Sequence, residues 1–482
     1  MSNTTLEGQH LYQKVADGLE KLILDETLKI GDKLPSVRLL SEEYGISVGT
    51  AFQAYYHLEG KGLIESRPKS GYYVRFNHRR SRALPLQTEP DTISHDVSVK
   101  EMIGSIYQDI FLDDKKMVNL AMAVPHYSLL PVAKLNKSVT AALRSLDDGG
   151  TRYAPTQGLQ VLREQIALQC FGWGGKVDAD DVVVTNGCLE AITICLRTVT
   201  RPGDTVAVET PNYFGIYQAI EGLGLKVVEI GSHPQTGFDI EGLRKIINRK
   251  KLSAIVAIPN FNNPMGGLMP DERKRELVEL ITKHQIPLIE DDIYGELYFG
   301  RSRPRTCKSF DRKGYVMHCS SFSKSLVPGY RLGYMIPGRF IDTARSIRRM
   351  QSISSPSITQ ASIAHFLQKG RYEYHLKNLR RALHTQYLRY TQAITDYFPD
   401  NAKLSRPAGG FVLWVELGKK VNGFRLRNEA LQEKIVFMPG KIFSASGRYH
   451  HCIRISFGTP YSAQIDDGLQ TLGQLIRKAQ QS

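Results

Sequence analysis

A chain of 482 residues, 41% hydrophobic and 23% charged, exceeds the size at which a single hydrophobic core stops growing, so two or three domains are expected. This composition excludes wholesale disorder, and no uninterrupted apolar run reaches membrane-spanning length. The formal charge of +15 does not come from the N-terminal segment, where residues 1–75 hold nine Lys and Arg against ten Asp and Glu.

From Leu11 to Leu28 apolar residues recur at helical spacing (Leu11, Val15, Leu19, Leu22, Ile23), which predicts a first helix broken by Gly31-Asp32. Ser36 is placed to cap a second helix with Arg38 to Tyr44 as its body and Gly45 as its end. Ser47 then caps a third, Val48 to Gly60. Two helices joined by a tight glycine turn form a helix-turn-helix, whose second helix can lie in a DNA major groove. The next stretch, Gly62 to Val74, has two apolar strands around a basic tip, which reads as a wing.

The block from Lys33-Leu34-Pro35-Ser36-Val37-Arg38 to Tyr73-Val74 resembles the GntR-type winged helix-turn-helix, an α+β DNA-binding domain assigned to residues 1–75. The resemblance implies that Ser36 and Arg38 contact phosphate. It places Ser47, Gly49 and Thr50 at the groove end of the recognition helix, and Lys69 and Gly71 near the minor groove or backbone of a double-stranded operator. One departure is Val48, which stands where many relatives carry arginine. The contact to guanine is then missing, and an apolar contact to a thymine methyl is the expected substitute.

Residues 76–115 carry Arg79-Arg80, Arg82, Pro85 and Pro90 with little periodicity, and read as a flexible linker. Beyond Val118, short apolar runs (182–184, 205–208, 254–258, 286–289) alternate with helical patterns. That alternation implies an α/β fold with a mostly parallel central sheet, whose ligands gather at the carboxyl ends of strands. Chemistry-bearing residues fall at those ends. Gly187 lets the amides of a helix N-terminus approach a phosphate, and Tyr213 offers a ring for stacking. Asn263 offers an amide donor, while Asp291 and Tyr294 supply a carboxylate and a phenol. Next comes Ser321-Phe322-Ser323-Lys324-Ser325, followed by Arg331. An amine of lowered pKa flanked by hydroxyls and a guanidinium is what anchoring a phosphorylated aldehyde requires.

Each residue alone has an ordinary packing or capping role; the ordered set resembles the pyridoxal phosphate site of fold-type I aminotransferases, over residues 116–482 with a small C-terminal α+β subdomain. The resemblance implies that Lys324 is the catalytic lysine, forming an internal aldimine with pyridoxal 5'-phosphate. Gly187, Cys188, Ser321, Ser323 and Arg331 would hold the phosphate, and Tyr213 would stack on the ring. Asn263 and Tyr294 would bond its hydroxyl oxygen, and Asp291 would pair with its nitrogen. Tyr153 would reach the phosphate of a neighbouring subunit, implying a homodimer, and Arg454 would clamp a substrate or effector carboxylate.

A GntR-type head on an aminotransferase-like body resembles the MocR-type transcriptional regulators. The resemblance implies a head-to-tail homodimer that senses pyridoxal phosphate itself or an amino-compound effector. The rival expectation is a working aminotransferase with an appended winged helix. A third has the head, with its charge of −1, binding protein and no operator. The remaining basic stretches (Arg249 to Lys251, Arg301 to Arg305, Arg348-Arg349) are either a DNA track or solvated faces. Six cysteines without Cys-x-x-Cys or zinc spacing indicate free thiols and no metal site. The N-terminus lacks a basic and apolar leader, so a cytoplasmic protein is expected.

Overall fold

The computed structural model describes residues 11–24, 27–28, 31–67, 70–75, 82–88, 94–96, 103–104, 106 and 116–481. The chain divides into two compact units, Met1–Arg82 with Tyr387–Asp396, and Ala83–Gln386 with Tyr397–Ser482.

In the first unit, helices α1 (Leu11–Leu24), α2 (Val37–Glu43) and α3 (Val48–Gly60) precede a hairpin of β1 (Ile64–Arg67) and β2 (Gly71–Val74). Ser36 caps α2 by accepting from the Leu39 amide at 3.2 Å. Ser47 caps α3 by accepting from the Thr50 amide at 3.0 Å. The first helix is shorter than its apolar periodicity suggests. The Leu28 amide donates to the Leu22 carbonyl instead of continuing the helical ladder. Val15, Leu19 and Ile23 of α1 pack with Leu40 of α2 and with Ala51, Ala54, Tyr55 and Leu58 of α3. Tyr55 is fully buried because its hydroxyl finds the Pro35 carbonyl at 2.7 Å. The wing strands pair antiparallel, Ile64 opposite Val74 and Arg67 opposite Gly71. Lys69, at the tip, lies outside the described residues.

The second unit is built on a mixed sheet. The strands of this unit up to β12 are, in chain order, β3 (His95–Asp96), β4 (Val118–Asn119, outside this sheet), β5 (Val183–Thr185), β6 (Thr205–Thr210), β7 (Lys226–His233), β8 (Gly237–Phe238), β9 (Ala254–Ala257), β10 (Leu288–Asp291), β11 (Val316–Ser321) and β12 (Gly333–Ile336). The spatial order is β3-β7-β6-β9-β10-β11-β12-β5, with β8 hairpinned onto β7. Neighbours from β7 through β11 are parallel; β12 runs antiparallel to both β11 and β5. Both faces are covered, which explains the unbroken apolar strands. Val206, Val208 and Val256 face helix α4 (Cys188–Val199), while Ala207 and Ile255 face helices Ile240–Ile247 and Asp271–His284.

The C-terminal part is a second, antiparallel sheet of β13 (Lys403–Leu404), β14 (Val412–Glu416), β16 (Met438–Pro439) and β17 (Cys452–Ser456), in the order β13-β14-β17-β16. Strand β15 (Ile435–Val436) pairs with β4, so the chain after the linker joins this layer.

The stretch expected to be an irregular, flexible connector is partly built into the second unit. The Ala83 carbonyl accepts from the Leu404 amide, and the Leu86 amide donates to Glu416 at 2.9 Å. The Thr88 hydroxyl meets the Thr210 and Ser232 carbonyls at 3.0 and 3.1 Å, and His95 pairs opposite Val227. The physical reason is the open edge of β7, whose unpaired backbone groups need a partner that hydropathy does not reveal. Among the described residues no helix is long and apolar enough to cross a membrane, and all six cysteines are free and buried.

Candidate functional site

The carboxyl ends of β5, β6, β9, β10 and β11 converge on one cleft. At the end of β5, Gly187 caps α4 with φ 95° and ψ 168°, a conformation open essentially to glycine. A Cβ there would lie 2.6 Å from an Arg331 guanidinium nitrogen, so the first amides of α4 and Arg331 border the same space. Arg331 itself takes a left-handed φ of 50°. It donates to Ser323 Oγ at 3.3 Å and to the Asn186 carbonyl at 3.5 Å. The Ser323 amide in turn donates to Ser321 Oγ at 3.3 Å. This corner gathers backbone amides, two hydroxyls and a guanidinium, the donor set of a phosphate cradle.

Asp291, ending β10, is buried. Its Oδ1 accepts from the Cys188 thiol at 3.3 Å and from the Ile293 amide at 3.1 Å. Burial nevertheless dominates and pushes its carboxyl up to about 6, with nearby Lys324 partly opposing the rise. The Cys188 side chain therefore faces the carboxylate, which leaves its backbone amide for the cradle. Its thiol is held well above the ordinary value, first by burial and then by Asp291.

Lys324 follows β11. Burial, then the positive charges of Arg454 and Arg331, lower its ammonium to about 8, and its Nζ donates to the Ala123 carbonyl at 2.6 Å. Asn263, after β9, donates to the Tyr294 hydroxyl at 3.4 Å. Arg454, on β17, donates to Asn263 Oδ1 at 3.4 Å and to the Ala121 carbonyl. Burial brings its guanidinium down to about 10, and its Nε has no hydrogen-bond partner among the described residues. Tyr213, after β6, stands half-buried with its ring 4.6 Å from that of Phe214. Tyr153 stands apart, 82% exposed.

Residues 115–472 match the aminotransferase class I and II family, and residues 11–74 match the gntR family of bacterial regulatory proteins. The chain belongs to the class I and II aminotransferases, in the MocR-type form headed by a gntR domain. This MocR-type chain is 36% identical to YjiR of Escherichia coli K12, an uncharacterized HTH-type transcriptional regulator, over 97% of its own length and 99% of that protein. It is 33% identical to YdcR of the same organism, with the same description, over 97% and 99%. Its structure is similar to LysN, the α-aminoadipate aminotransferase of Thermus thermophilus complexed with N-(5'-phosphopyridoxyl)-L-leucine. That likeness has a TM-score of 0.72 and 26% identity, covering 80% of this chain and all of LysN.

The residues of this MocR-type chain fit the cofactor its family implies, on its own evidence. The cleft holds three cationic side chains (Lys324, Arg331, Arg454) and one carboxylate (Asp291), linked in the pKa perturbations of Lys324 and Asp291. Two buried donors, Arg454 Nε in the cleft and Asn212 Nδ2 beside Tyr213, have no hydrogen-bond partner among the described residues. Buried donors are seldom left unmet unless a ligand or water takes them. Sequence reasoning missed Asn212, although it sits in the run Glu209-Thr210-Pro211-Asn212-Tyr213, one residue before the ring tyrosine. It also missed the Ala121–Ala123 strip, whose carbonyls hold both Lys324 and Arg454. Backbone acceptors leave no mark on side-chain patterns.

In the head, Ser47 Oγ and Thr50 Oγ1 lie 2.8 Å apart, so both hydroxyls serve the cap. Arg38 is exposed, and Gly71, in β2, has φ 106°.

Proposed function

We propose that this chain is a pyridoxal phosphate-dependent DNA-binding transcriptional regulator whose body senses the cofactor or an amino compound. The observation that carries the reading is a body cleft bearing a lysine with its ammonium lowered to about 8, in a chain whose head is a gntR-family domain. Full-length relatives described as HTH-type transcriptional regulators support it.

Pyridoxal phosphate supplies, when bound, an electrophilic aldehyde and a pyridine ring that acts as an electron sink. Lys324, lowered to about 8, would offer the aldehyde a larger fraction of neutral amine near neutral pH than an ordinary lysine. The α4 amides, Ser321, Ser323 and Arg331 would hold the phosphate. Asp291 would face the ring nitrogen, Tyr213 would cover the ring, and Asn263 with Tyr294 would bond its hydroxyl oxygen. Arg454 would take the carboxylate of an amino-compound effector. Tyr153, exposed in the single chain, would complete a neighbour's phosphate site in a head-to-tail homodimer. A ligand that binds one arrangement of the body better than another shifts the population, and with it the DNA affinity of the heads.

Transamination is the second reading. It is favoured by the coexistence of Lys324, Asp291 and Arg454 in one cleft, and by 27% identity to the 2-aminoadipate transaminase of Thermus thermophilus over 75% of this chain.

The test is fluorescence anisotropy on DNA from upstream of the protein's own gene against scrambled DNA, at fixed salt, with and without pyridoxal phosphate and a panel of amino compounds. Sequence-dependent binding that a ligand shifts is the expected result. Equal, weak binding to both DNAs together with turnover of an amino donor and an oxo-acid would give the second reading precedence.

A further inference from the structure

Helix α3 buries one face completely, with Ala51, Ala54, Tyr55 and Leu58 at 0% exposure. Its other face carries Val48, Phe52 and Tyr56, exposed at 54%, 51% and 54%. At four-residue intervals these three form one row along the helix. Single exposed apolar residues are ordinary, but three in a row on the face opposite the core mark a contact surface. Between Val48 and Tyr56 the helix has no charged residue. The exposed polar group beside the row is the Gln53 amide.

Gly49 supplies a second and independent observation. It lies in the first turn of α3 with no left-handed φ, and a Cβ there would meet nothing nearer than Ser47 Oγ at 3.7 Å. The fold has room for a side chain at this position and no conformational need for glycine, which is disfavoured in a helix relative to alanine. A glycine there leaves the helix backbone open to close approach by an outside surface.

Major-groove chemistry narrows the occupant. Guanine is read through O6 and N7 by arginine or lysine, adenine through N6 and N7 by an amide, and thymine by apolar contact with its C5-methyl. The exposed face of α3 has the second and third of these and lacks the first. Resting on the regulator reading, we propose that α3 reads a run of A·T pairs in the major groove. Val48 and Phe52 contact thymine methyls, Gln53 bonds an adenine edge, and Gly49 lets the helix seat against the bases. Tyr56 continues the row toward the groove wall.

The test uses the full-length, cofactor-loaded protein. Duplexes are enriched from a randomised pool at fixed near-physiological salt, and affinities for the selected site are then measured by anisotropy with single thymines replaced by deoxyuridine. The expected core is A·T, with one or two thymines at which losing the methyl weakens binding about fourfold each. Phe52→Ala should erase the thymine–uracil difference at one of them, and Gln53→Ala should weaken binding about 5- to 150-fold. Both side chains are solvent-facing, so unchanged thermal unfolding of the variants will separate reading from folding. A selected core of G·C pairs, or one indifferent to uracil, overturns this inference and leaves the regulator reading standing. Failure to enrich any duplex overturns both and assigns the apolar row to a protein partner.

Discussion

Asp291→Asn tests whether the cleft is built for ligand at the expense of the cofactor-free body. The carboxyl is raised from its ordinary 3.8 to about 6, chiefly by burial. An acid whose value is higher folded than unfolded binds its proton more readily when folded. Its charged form therefore costs nothing below about pH 4, an increasing amount up to about 6, and a constant amount above. The difference corresponds to about 3 kcal/mol. Asparagine is isosteric, and its Oδ1 can accept from the Cys188 thiol and the Ile293 amide as the aspartate does. Cofactor-free Asp291→Asn should therefore be more stable than the wild type at pH 8, by an amount approaching 3 kcal/mol. The two should converge at pH 4. Urea unfolding of the cofactor-free proteins across that range is the assay; if Asp291 pairs with the ring nitrogen as proposed, the variant should also bind pyridoxal phosphate more weakly. A variant less stable than wild type at pH 8, or a difference that does not change with pH, would refute the account of Asp291 as a charge held in place against its own desolvation.

Lys324→Ala should abolish the visible absorbance of cofactor bound through the amine and leave unfolding cooperative; an unchanged spectrum would mean that another lysine is used. Because burial and two arginines lower Lys324 to about 8, its neutral fraction rises as pH approaches that value. Capture of pyridoxal phosphate by the cofactor-free protein should climb with pH and level off just above 8, where an ordinary lysine would still be climbing toward 10; stopped-flow absorbance distinguishes the two. Gly187→Ala forces a side chain into a backbone conformation costing about 1–3 kcal/mol and against Arg331 at 2.6 Å, so equilibrium titration should find cofactor affinity reduced at least about tenfold. Gly49→Ala should do the opposite to stability, raising that of the head by about 0.5–1 kcal/mol, while weakening specific DNA binding in anisotropy; a variant that is both stabler and a full-strength DNA binder would remove the need for close approach.

Strand ends were legible because both of their faces are buried. Runs such as 254–258 have no polar residue, and polar residues return near the strand ends, Asn260 after 254–258 and Glu290-Asp291 at the end of 286–289. The caps of α2 and α3 were legible for an equally local reason, a serine hydroxyl bonding an amide three residues on. What could not be read is whatever depends on partners distant in sequence. The clasp of Thr88 on Thr210 and Ser232 joins positions more than a hundred residues apart. The antiparallel insertion of β12 between β11 and β5 is set by the crossover and not by composition. The resemblance implies only that Cys188 helps to hold the phosphate. The fold turns its thiol to Asp291, 103 residues onward, a meeting of the ends of two strands that are not neighbours in the sheet.

The charges in the cleft account for its suitability for an anionic ligand. Lys324, Arg331 and Arg454 stand against Asp291 alone, an excess of two positive charges when all are ionised. Lys324 and Arg454 are each pulled below their ordinary values by burial. A phosphomonoester carries about −1.5 to −2 at neutral pH, close to the magnitude of that excess and opposite in sign. Lys324 and Arg454 are desolvated while Arg331 is exposed, and an anion with hydrogen-bond acceptors would remove several penalties together. Anything that binds the folded body and not the unfolded one stabilises it in proportion to the logarithm of its concentration over its Kd. A second anion, the carboxylate of an amino compound on Arg454, would act on the other end of the same cleft. Both ends bond to the Ala121–Ala123 strip, which follows β4, where the chain leaves the linker for the C-terminal layer. Ligands that take over Lys324 and Arg454 must therefore compete with backbone carbonyls of one short segment. Occupancy of the cleft and the position of that segment would then be linked through Lys324 and Arg454.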